Sequence, residues 1–157
     1  MHWCDIRRNV VVDRIKYING LFAFEADMLM VRPSGYMTGF EIKVSKADFN
    51  ADKKKPHFNN PVYYKNFRHY YYVVADNIVD HALANIPEFC GLISAGSNGR
   101  LHVVKQPPVI GTYKLTAKQQ FAVARLGALR ILGYKVKDRD NTNMIKRLRL
   151  ANTINTS

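Results

Sequence analysis

Short stretches of alternating or β-branched apolar residues occupy the first two thirds of the chain and predict strands. Short turns at Asn19-Gly20 and at Pro33-Ser34-Gly35 join the first three of these stretches, so we expect an antiparallel three-stranded meander. A turn at Asn98-Gly99 is expected to join the last two. The predicted strands cover residues 9–18, 21–32, 37–44, 69–75, 91–95 and 101–105.

Helices are predicted between these strands. Ser45 and Asp48 fit the first and fourth positions of a capping box, so a helix is expected to begin here. It should end near Lys55, because Pro56 cannot continue a helix. Residues 78–85 predict a second, short helix.

The last third of the chain predicts one more helix and then a tail. Residues 117–132 are apolar on nearly every side of a helix, which predicts that this helix is largely buried. We therefore expect one domain over residues 1–134, of the α/β (α+β) class, with a mixed sheet flanked by helices, and a basic and polar tail over residues 135–157. Neither a GxGxxG nor a GxxxxGK[ST] loop is present.

The charge of the chain indicates a class of binding partner. The 157 residues carry a formal net charge of +12, of which residues 100–149 contribute +10. A folded domain with such an excess typically binds a polyanion, the simpler alternative being a basic surface that keeps the protein soluble. The two cysteines form no CxxC pair, no secretory leader is visible, and no apolar stretch is long enough to span a membrane. These features predict a cytoplasmic protein in a reducing compartment.

Candidate chemistry lies in the predicted meander. Glu41 and Lys43 are two residues apart in the third strand and therefore share a face. The hairpin can bring Asp27, in the second strand, beside Glu41. Two carboxylates, with the carbonyl of Ile42 between Glu41 and Lys43, offer the hard oxygen ligands that Mg²⁺ or Mn²⁺ prefers, and a lysine can stabilise charge on a reacting phosphate. The alternative is a surface ion pair of Glu41 with Lys43, which contributes only about 0–1 kcal/mol.

These residues resemble the core of the PD-(D/E)XK nuclease superfamily, which has the restriction-endonuclease-like fold. The sequence is most similar to the MmcB-like DNA-repair proteins and their phage relatives. The similar segments lie within residues 22–132: Glu25–Leu29, Glu41–Lys54, Tyr71–Ala75, Gly91–Ile93 followed by Asn98-Gly99, and Ala122–Arg130.

The resemblance implies a metal-dependent DNA nuclease with Asp27 and Glu41 as metal ligands and Lys43 as the catalytic lysine. Members of this fold usually begin with a helix that often supplies a further glutamate, and a first strand that starts near residue 9 leaves almost no room for one. Asp5 or Asp13 could take that place, although neither matches it in position.

Several further residues have two interpretations. Asp48 fits a helix cap better than a metal ligand, and Asp52, one turn later, is open between an outer carboxylate of the metal site and a structural role. Tyr63 and Tyr64 could stack on bases, whereas Tyr70, Tyr71 and Tyr72 fit the core better. The basic residues expected to contact DNA phosphates are Lys46, Lys53, Lys54, Lys55, Lys118 and Arg125.

The sequence thus predicts a Mg²⁺- or Mn²⁺-dependent nuclease that acts on DNA in repair, recombination or phage DNA metabolism. One alternative is a DNA-binding module with little or no activity on the same fold, because a fold does not determine a function. An RNA-directed nuclease is a third possibility.

Overall fold

The computed structural model describes residue 5, residues 7–15 and residues 21–154, with side chains up to residue 144. Over these residues, six strands form one sheet in chain order. The strands are β1 (Val10–Ile15), β2 (Ala26–Val31), β3 (Met37–Lys43), β4 (His69–Ala75), β5 (Gly91–Ala95) and β6 (Leu101–Lys105). The predicted turn at Asn19-Gly20 lies outside the described residues.

The sheet is mixed. Strands β1, β2 and β3 pair antiparallel, β3, β4 and β5 pair parallel, and β6 returns antiparallel to β5. Each parallel pair needs a crossover, and these connections contain the helices α1 (Lys46–Asp52) and α2 (Val79–Leu83), together with 3₁₀ turns at Pro61–Tyr64 and Asp76–Ile78. The predicted α+β class with a mixed sheet and flanking helices is therefore confirmed.

The second strand is shorter than expected. Strand β2 begins at Ala26, whereas the alternation of aromatic residues predicted a strand from residue 21. Leu21 and Phe22 are buried outside the sheet, and the ring of Phe22 stacks on that of Phe67 at 5.1 Å between centroids. The alternation thus reflects packing onto the loop before β4 instead of strand pairing.

Helix α1 packs on the face of the sheet that carries Glu41 and Lys43. Its Phe49 is fully buried, and the ring lies 5.4 Å from that of Tyr72 in β4. The opposite face carries a separate apolar cluster with one residue from each of β2, β3, β4 and β5: Met30, Phe40, Tyr71 and Ile93. Apolar packing on both faces therefore holds the central strands in place.

The final helix, α3 (Ala117–Ile154), is 38 residues long. The expected helix end near residue 132 is thus wrong, because the helix continues to Ile154 through residues that were expected to form a tail. This stretch contains neither proline nor glycine and is rich in lysine, arginine and leucine, which favour helix. The expected burial is also wrong: Val123 is buried, but Phe121 is 71% exposed. No helix among the described residues is long and apolar enough to cross a membrane.

The chain forms two compact units, the first ending at Ala124 and the second beginning at Arg125. The first contains the sheet, α1, α2 and the start of α3. The second consists, over its described residues, of the rest of α3. Its apolar side chains at Leu129, Ile131 and Leu132 are all more than half exposed.

Candidate functional site

Strand β3 carries an acid and a base into the protein interior. Glu41 and Lys43 are only 4% and 6% exposed, whereas Ile42 between them is 45% exposed. This alternation is what a strand imposes on consecutive side chains. The Nζ of Lys43 donates a hydrogen bond to Oε1 of Glu41 at 2.7 Å. The pair is therefore buried and charge-assisted, and the alternative of an exposed surface pair is excluded.

Asp27 joins this pair from strand β2. The regular ladder between β2 and β3 ends at Met28, which lies opposite Phe40. One residue further, Oδ2 of Asp27 accepts a hydrogen bond from the backbone N–H of Ile42 at 2.8 Å. Directly opposite residues of antiparallel strands share a face, so Asp27 and Glu41 lie on the same face, as the sequence predicted.

The backbone is strained next to Asp27. Arg14 of β1 falls between the pairs that join Asp13 to Met28 and Ile15 to Ala26, and so stands opposite Asp27. Its φ of 44° lies in the left-handed region, which residues other than glycine rarely adopt. Such backbone outliers persist only where the surrounding structure holds them, and they cluster at functional sites.

Helix α1 adds further carboxylates around Lys43. Oδ1 of Asp52 lies 3.4 Å from Lys43 Nζ, and Oδ1 of Asp48 lies 3.9 Å away. Ser45 caps the helix, because its Oγ accepts a hydrogen bond from the N–H of Asp48 at 3.1 Å. The expected cap is therefore present. It fixes the start of α1 so that Asp48 and Asp52 lie near Lys43 of β3.

Asp52 is buried with partners on both sides. It is 1% exposed, and its Oδ2 accepts a hydrogen bond from the Tyr72 hydroxyl at 2.7 Å. Its Oδ1 pairs with Lys55, one turn along the chain. Lys55 Nζ also lies 3.6 Å from Oε1 of Glu41. Glu41, Lys43, Asp52 and Lys55 thus form one charge cluster, and this name is used for these four residues below.

Strand β4 supplies the hydroxyl groups that complete the cluster. Tyr70 and Tyr72 lie on the same face of β4, beside Gly39 and Glu41 of β3. The Tyr70 hydroxyl donates to Oε2 of Glu41 at 3.2 Å. Gly39 makes room for the Tyr70 ring, because a Cβ at this position would lie 2.5 Å from two of its carbons.

Burial and ion pairing have opposite effects on the pKa values of the cluster residues. Burial raises the pKa of Glu41, and the hydrogen bond from Lys43 only partly offsets this. Burial also opposes the charge on Asp52, but hydrogen bonds from Lys55 and Tyr72 outweigh it, so the pKa of Asp52 is lowered. The pKa of Lys43 is raised, because its carboxylate partners outweigh burial. Burial opposes the charge on Lys55 as well, but its partner Asp52 outweighs burial and raises the pKa of Lys55. Both lysines therefore stay protonated at neutral pH.

The residues expected to contact DNA are distributed unevenly. Lys46, Lys53 and Lys54 are exposed around α1, although Lys53 donates a hydrogen bond to Oδ1 of Asn85 at 2.6 Å. Lys55 belongs to the charge cluster and is therefore not simply a surface cation. Lys118 is exposed in the first unit and Arg125 is exposed in the second.

The aromatic expectations are met in part. Tyr70, Tyr71 and Tyr72 are in the core, as predicted. Tyr64 is fully buried and cannot stack on a base, because its ring packs against that of Tyr70 at 4.7 Å. Tyr63 is 36% exposed and keeps an accessible ring.

The oxygen donors of Asp27 and Glu41 are of the type that hard divalent cations bind. Among the described residues, no group of three or more His, Cys, Asp or Glu side chains is arranged to hold a metal ion. Mg²⁺, however, is usually bound through one or two carboxylates and retains several waters. Asp27 and Glu41 supply two carboxylates, each with about four acceptor positions, only some of which neighbouring groups use. The residues present, which are the two carboxylates and the Ile42 carbonyl, therefore match in chemistry the oxygen donors that the sequence predicted for Mg²⁺ or Mn²⁺.

The sequence left Asp52 open and missed the polar roles of Tyr70 and Tyr72. Both tyrosines were expected only as core residues. Their hydroxyl contacts depend on the parallel register of β3 and β4, which residues far apart in sequence determine. One local signal was available: Asp52 and Lys55 are three residues apart, a spacing that allows ion pairs at the end of a helix.

Comparisons with known proteins add support for the fold. The sequence matches no protein-family model and no curated protein. A solved structure of a protein of unknown function from Silicibacter pomeroyi is similar over 87% of this chain and 84% of that chain, with a TM-score of 0.57 and 22% sequence identity. At this identity the likeness concerns the fold alone.

Proposed function

We propose that the protein is a metal-dependent nuclease that hydrolyses phosphodiester bonds in DNA. The observation that carries the proposal is the convergence of Asp27, Glu41 and Lys43 on one face of the sheet, at the end of the β2–β3 ladder. Chance pairing explains one acid beside one base. It does not readily explain a second acid fixed to the backbone between them.

Asp27, Glu41 and the Ile42 carbonyl would hold Mg²⁺ or Mn²⁺. The bound ion would supply an activated water and offset charge on the phosphate. The hydrogen bond from Ile42 N–H fixes one oxygen of Asp27, so its carboxylate needs little reorganisation to act as a ligand. Tyr70 fixes the orientation of Glu41 in the same way.

Lys43 would act on the phosphate. Its ammonium group stays charged and is held by Glu41 and Asp52, so its position is fixed before substrate arrives. A fixed cation beside the scissile bond stabilises negative charge that develops in the transition state. Lys46, Lys53 and Lys54 would attract the DNA backbone from outside the charge cluster.

A cleavage assay tests the proposal. The full chain is incubated with single-stranded, duplex and nicked DNA and with RNA, in Mg²⁺, in Mn²⁺ and in a chelator. We expect DNA cleavage only with a metal, and its loss in Asp27→Asn and Lys43→Met. Asp80→Asn, which changes an exposed carboxylate on α2, is the matched control and should cleave normally.

A DNA-binding module without activity is the second candidate, and one observation favours it. Lys43 lies within 4 Å of three carboxylates, so its charge is already neutralised inside the protein. A cluster of this kind can serve stability or specificity of folding alone. DNA binding without cleavage of any substrate in either metal would contradict the nuclease proposal and support this one. Cleavage of RNA alone would instead correct the substrate.

A further inference from the structure

Five basic side chains gather at the end of the sheet opposite to the charge cluster. Arg7 and Arg8 precede β1, Arg32 follows β2, and Arg68 precedes β4. These positions meet because β1 begins opposite the end of β2, with Val10 paired to Val31, and β4 begins beside the start of β3. Lys114 completes the group, which is called the arginine end below.

The arginine end contains a cavity. Arg7, Arg8 and Arg32 line an open cavity of about 700 Å³, together with Asp5, Asn9 and the Pro33-Ser34 turn. Asp5 is the acid on this lining, and its carboxylate is shared by Arg7 at 3.0 Å and Arg8 at 3.7 Å. Among the described residues, Arg32 makes no ion pair with an acid. The lining therefore carries an excess of positive charge.

The other two cations of the arginine end, Arg68 and Lys114, lie over the ring of Tyr36. Arg68 lies over its ring at 4.8 Å from the centroid, and Lys114 lies at 4.9 Å. The backbone holds Lys114 near this position, because the N–H of the next residue, Leu115, donates to the carbonyl of Gly35 at 3.0 Å. Gly35 has a φ of 84°, and a Cβ there would lie 2.9 Å from the Leu115 carbonyl oxygen, so the close approach requires glycine.

A histidine lies beside two of these arginines. His69, the first residue of β4, is half-buried, and burial lowers its pKa. The charges of Arg32 and Arg68 lower it further, against a hydrogen bond with the carbonyl of Pro108 that favours the proton. Both arginines are thus close enough to act on the same group.

We propose that the arginine end is a second binding site for the phosphodiester backbone of a nucleic acid. Guanidinium groups bind phosphate oxygens through two parallel hydrogen bonds, and clustered arginines are typical of phosphate recognition. Tyr36, which directly precedes β3, is five positions before Glu41, a distance of about 16.5 Å at 3.3 Å per residue. That distance corresponds to about five phosphates of one strand at 3.4 Å each. The choice of a nucleic acid as ligand rests on the proposed function.

The salt dependence of binding tests this site without any chemistry. Affinity for a duplex is measured in a chelator over a series of salt concentrations, for the wild type, Arg32→Ala and Arg32→Lys. Loss of one phosphate contact lowers the slope of log K against log salt by about 0.9. We expect this loss in Arg32→Ala. Arg32→Lys should keep the slope but bind more weakly, because it keeps the charge and loses the planar fork.

Arg100→Ala is the matched control, since it removes one exposed arginine from the turn between β5 and β6. An unchanged slope in Arg32→Ala, or an equal loss in Arg100→Ala, would overturn the proposal. So would an effect of Arg32→Ala confined to inorganic phosphate or to vesicles of anionic lipid. Because binding is measured without metal, a normal slope in Arg32→Ala together with metal-dependent cleavage refutes this site alone. A lowered slope without cleavage refutes the nuclease instead.

Discussion

Replacing Lys43 by methionine keeps most of the length of the side chain and removes the charge at the centre of the cluster. In the native protein its ammonium group lies 2.7 Å from Glu41 and 3.4 Å from Asp52, and none of these three side chains is more than 7% exposed. The substitution therefore leaves Glu41 buried, with the Tyr70 hydroxyl and the more distant Lys55 as its remaining partners.

The loss of stability follows from the Glu41 carboxylate, which stays buried after its main partner is removed. Removing one partner of a buried ion pair typically destabilises a protein by about 3–5 kcal/mol. Because Lys55 stays 3.6 Å from Glu41, we expect the lower end of this range. A loss of about 3 kcal/mol is a large part of the roughly 5–15 kcal/mol by which most domains are stable. Adding Glu41→Gln removes the stranded charge and keeps an acceptor for Tyr70, so the double variant should be more stable than Lys43→Met alone.

Urea unfolding, followed by circular dichroism in a chelator, measures these differences as shifts in midpoint at constant slope. Lys54→Met removes an exposed lysine that follows α1 and should change the free energy of unfolding by less than about 0.5 kcal/mol. If Lys43→Met were within about 1 kcal/mol of the wild type, the ion pair would behave as a solvated one and the reasoning would be refuted. A double variant less stable than Lys43→Met would refute it as well.

Three further predictions concern other parts of the molecule. The pKa of Asp52 is lowered in the folded protein, so its carboxylate stabilises the fold above the unfolded pKa of 3.8 and loses this effect as the pH falls through the lower, folded pKa. The difference in unfolding free energy between the wild type and Asp52→Asn should therefore shrink on acidification below about pH 4. A constant difference would contradict the lowered pKa. Gly39→Ala should lower stability by about 1–3 kcal/mol in thermal unfolding, because its Cβ meets the Tyr70 ring, whereas Gly133→Ala meets open space and should not. Truncation after Tyr134 removes a net charge of +4 and should make the salt dependence of DNA binding shallower while cleavage at saturating enzyme is unchanged; an unchanged slope would show that this segment does not touch the substrate.

The sequence predicted what local patterns determine. Strands β4, β5 and β6 have the expected bounds, since each is a short apolar run between strong turn signals. The neighbouring positions of Asp27 and Glu41 were also predictable, because a hairpin with a short turn leaves few registers. The Ser45 cap was likewise visible as a pattern of residues.

What the sequence could not predict depends on distant partners. The hydroxyl contacts of Tyr70 and Tyr72 require the parallel pairing of β3 with β4 across a crossover. The length of α3 was missed because the basic and polar residues after 134 predicted a tail. Its burial was wrongly expected because residues 117–132 are largely apolar, whereas Leu129, Ile131 and Leu132 are exposed. The aromatic alternation around Phe22 likewise predicted a strand, whereas its ring packs on Phe67, a partner that lies in a later loop.

The charge cluster and the basic surfaces divide two tasks between them. Glu41 and Asp52 balance Lys43 and Lys55, so the cluster has no net charge and contributes little to attraction at a distance. The long-range field that would draw in a polyanion must then come from residues outside it, such as those of the arginine end. Substitutions in the cluster, or of Asp27 beside it, should therefore change chemistry and stability, and substitutions at the arginine end should change affinity and its salt dependence. A Lys43 variant that is stably folded but binds DNA with a much shallower salt slope would show that this division is wrong.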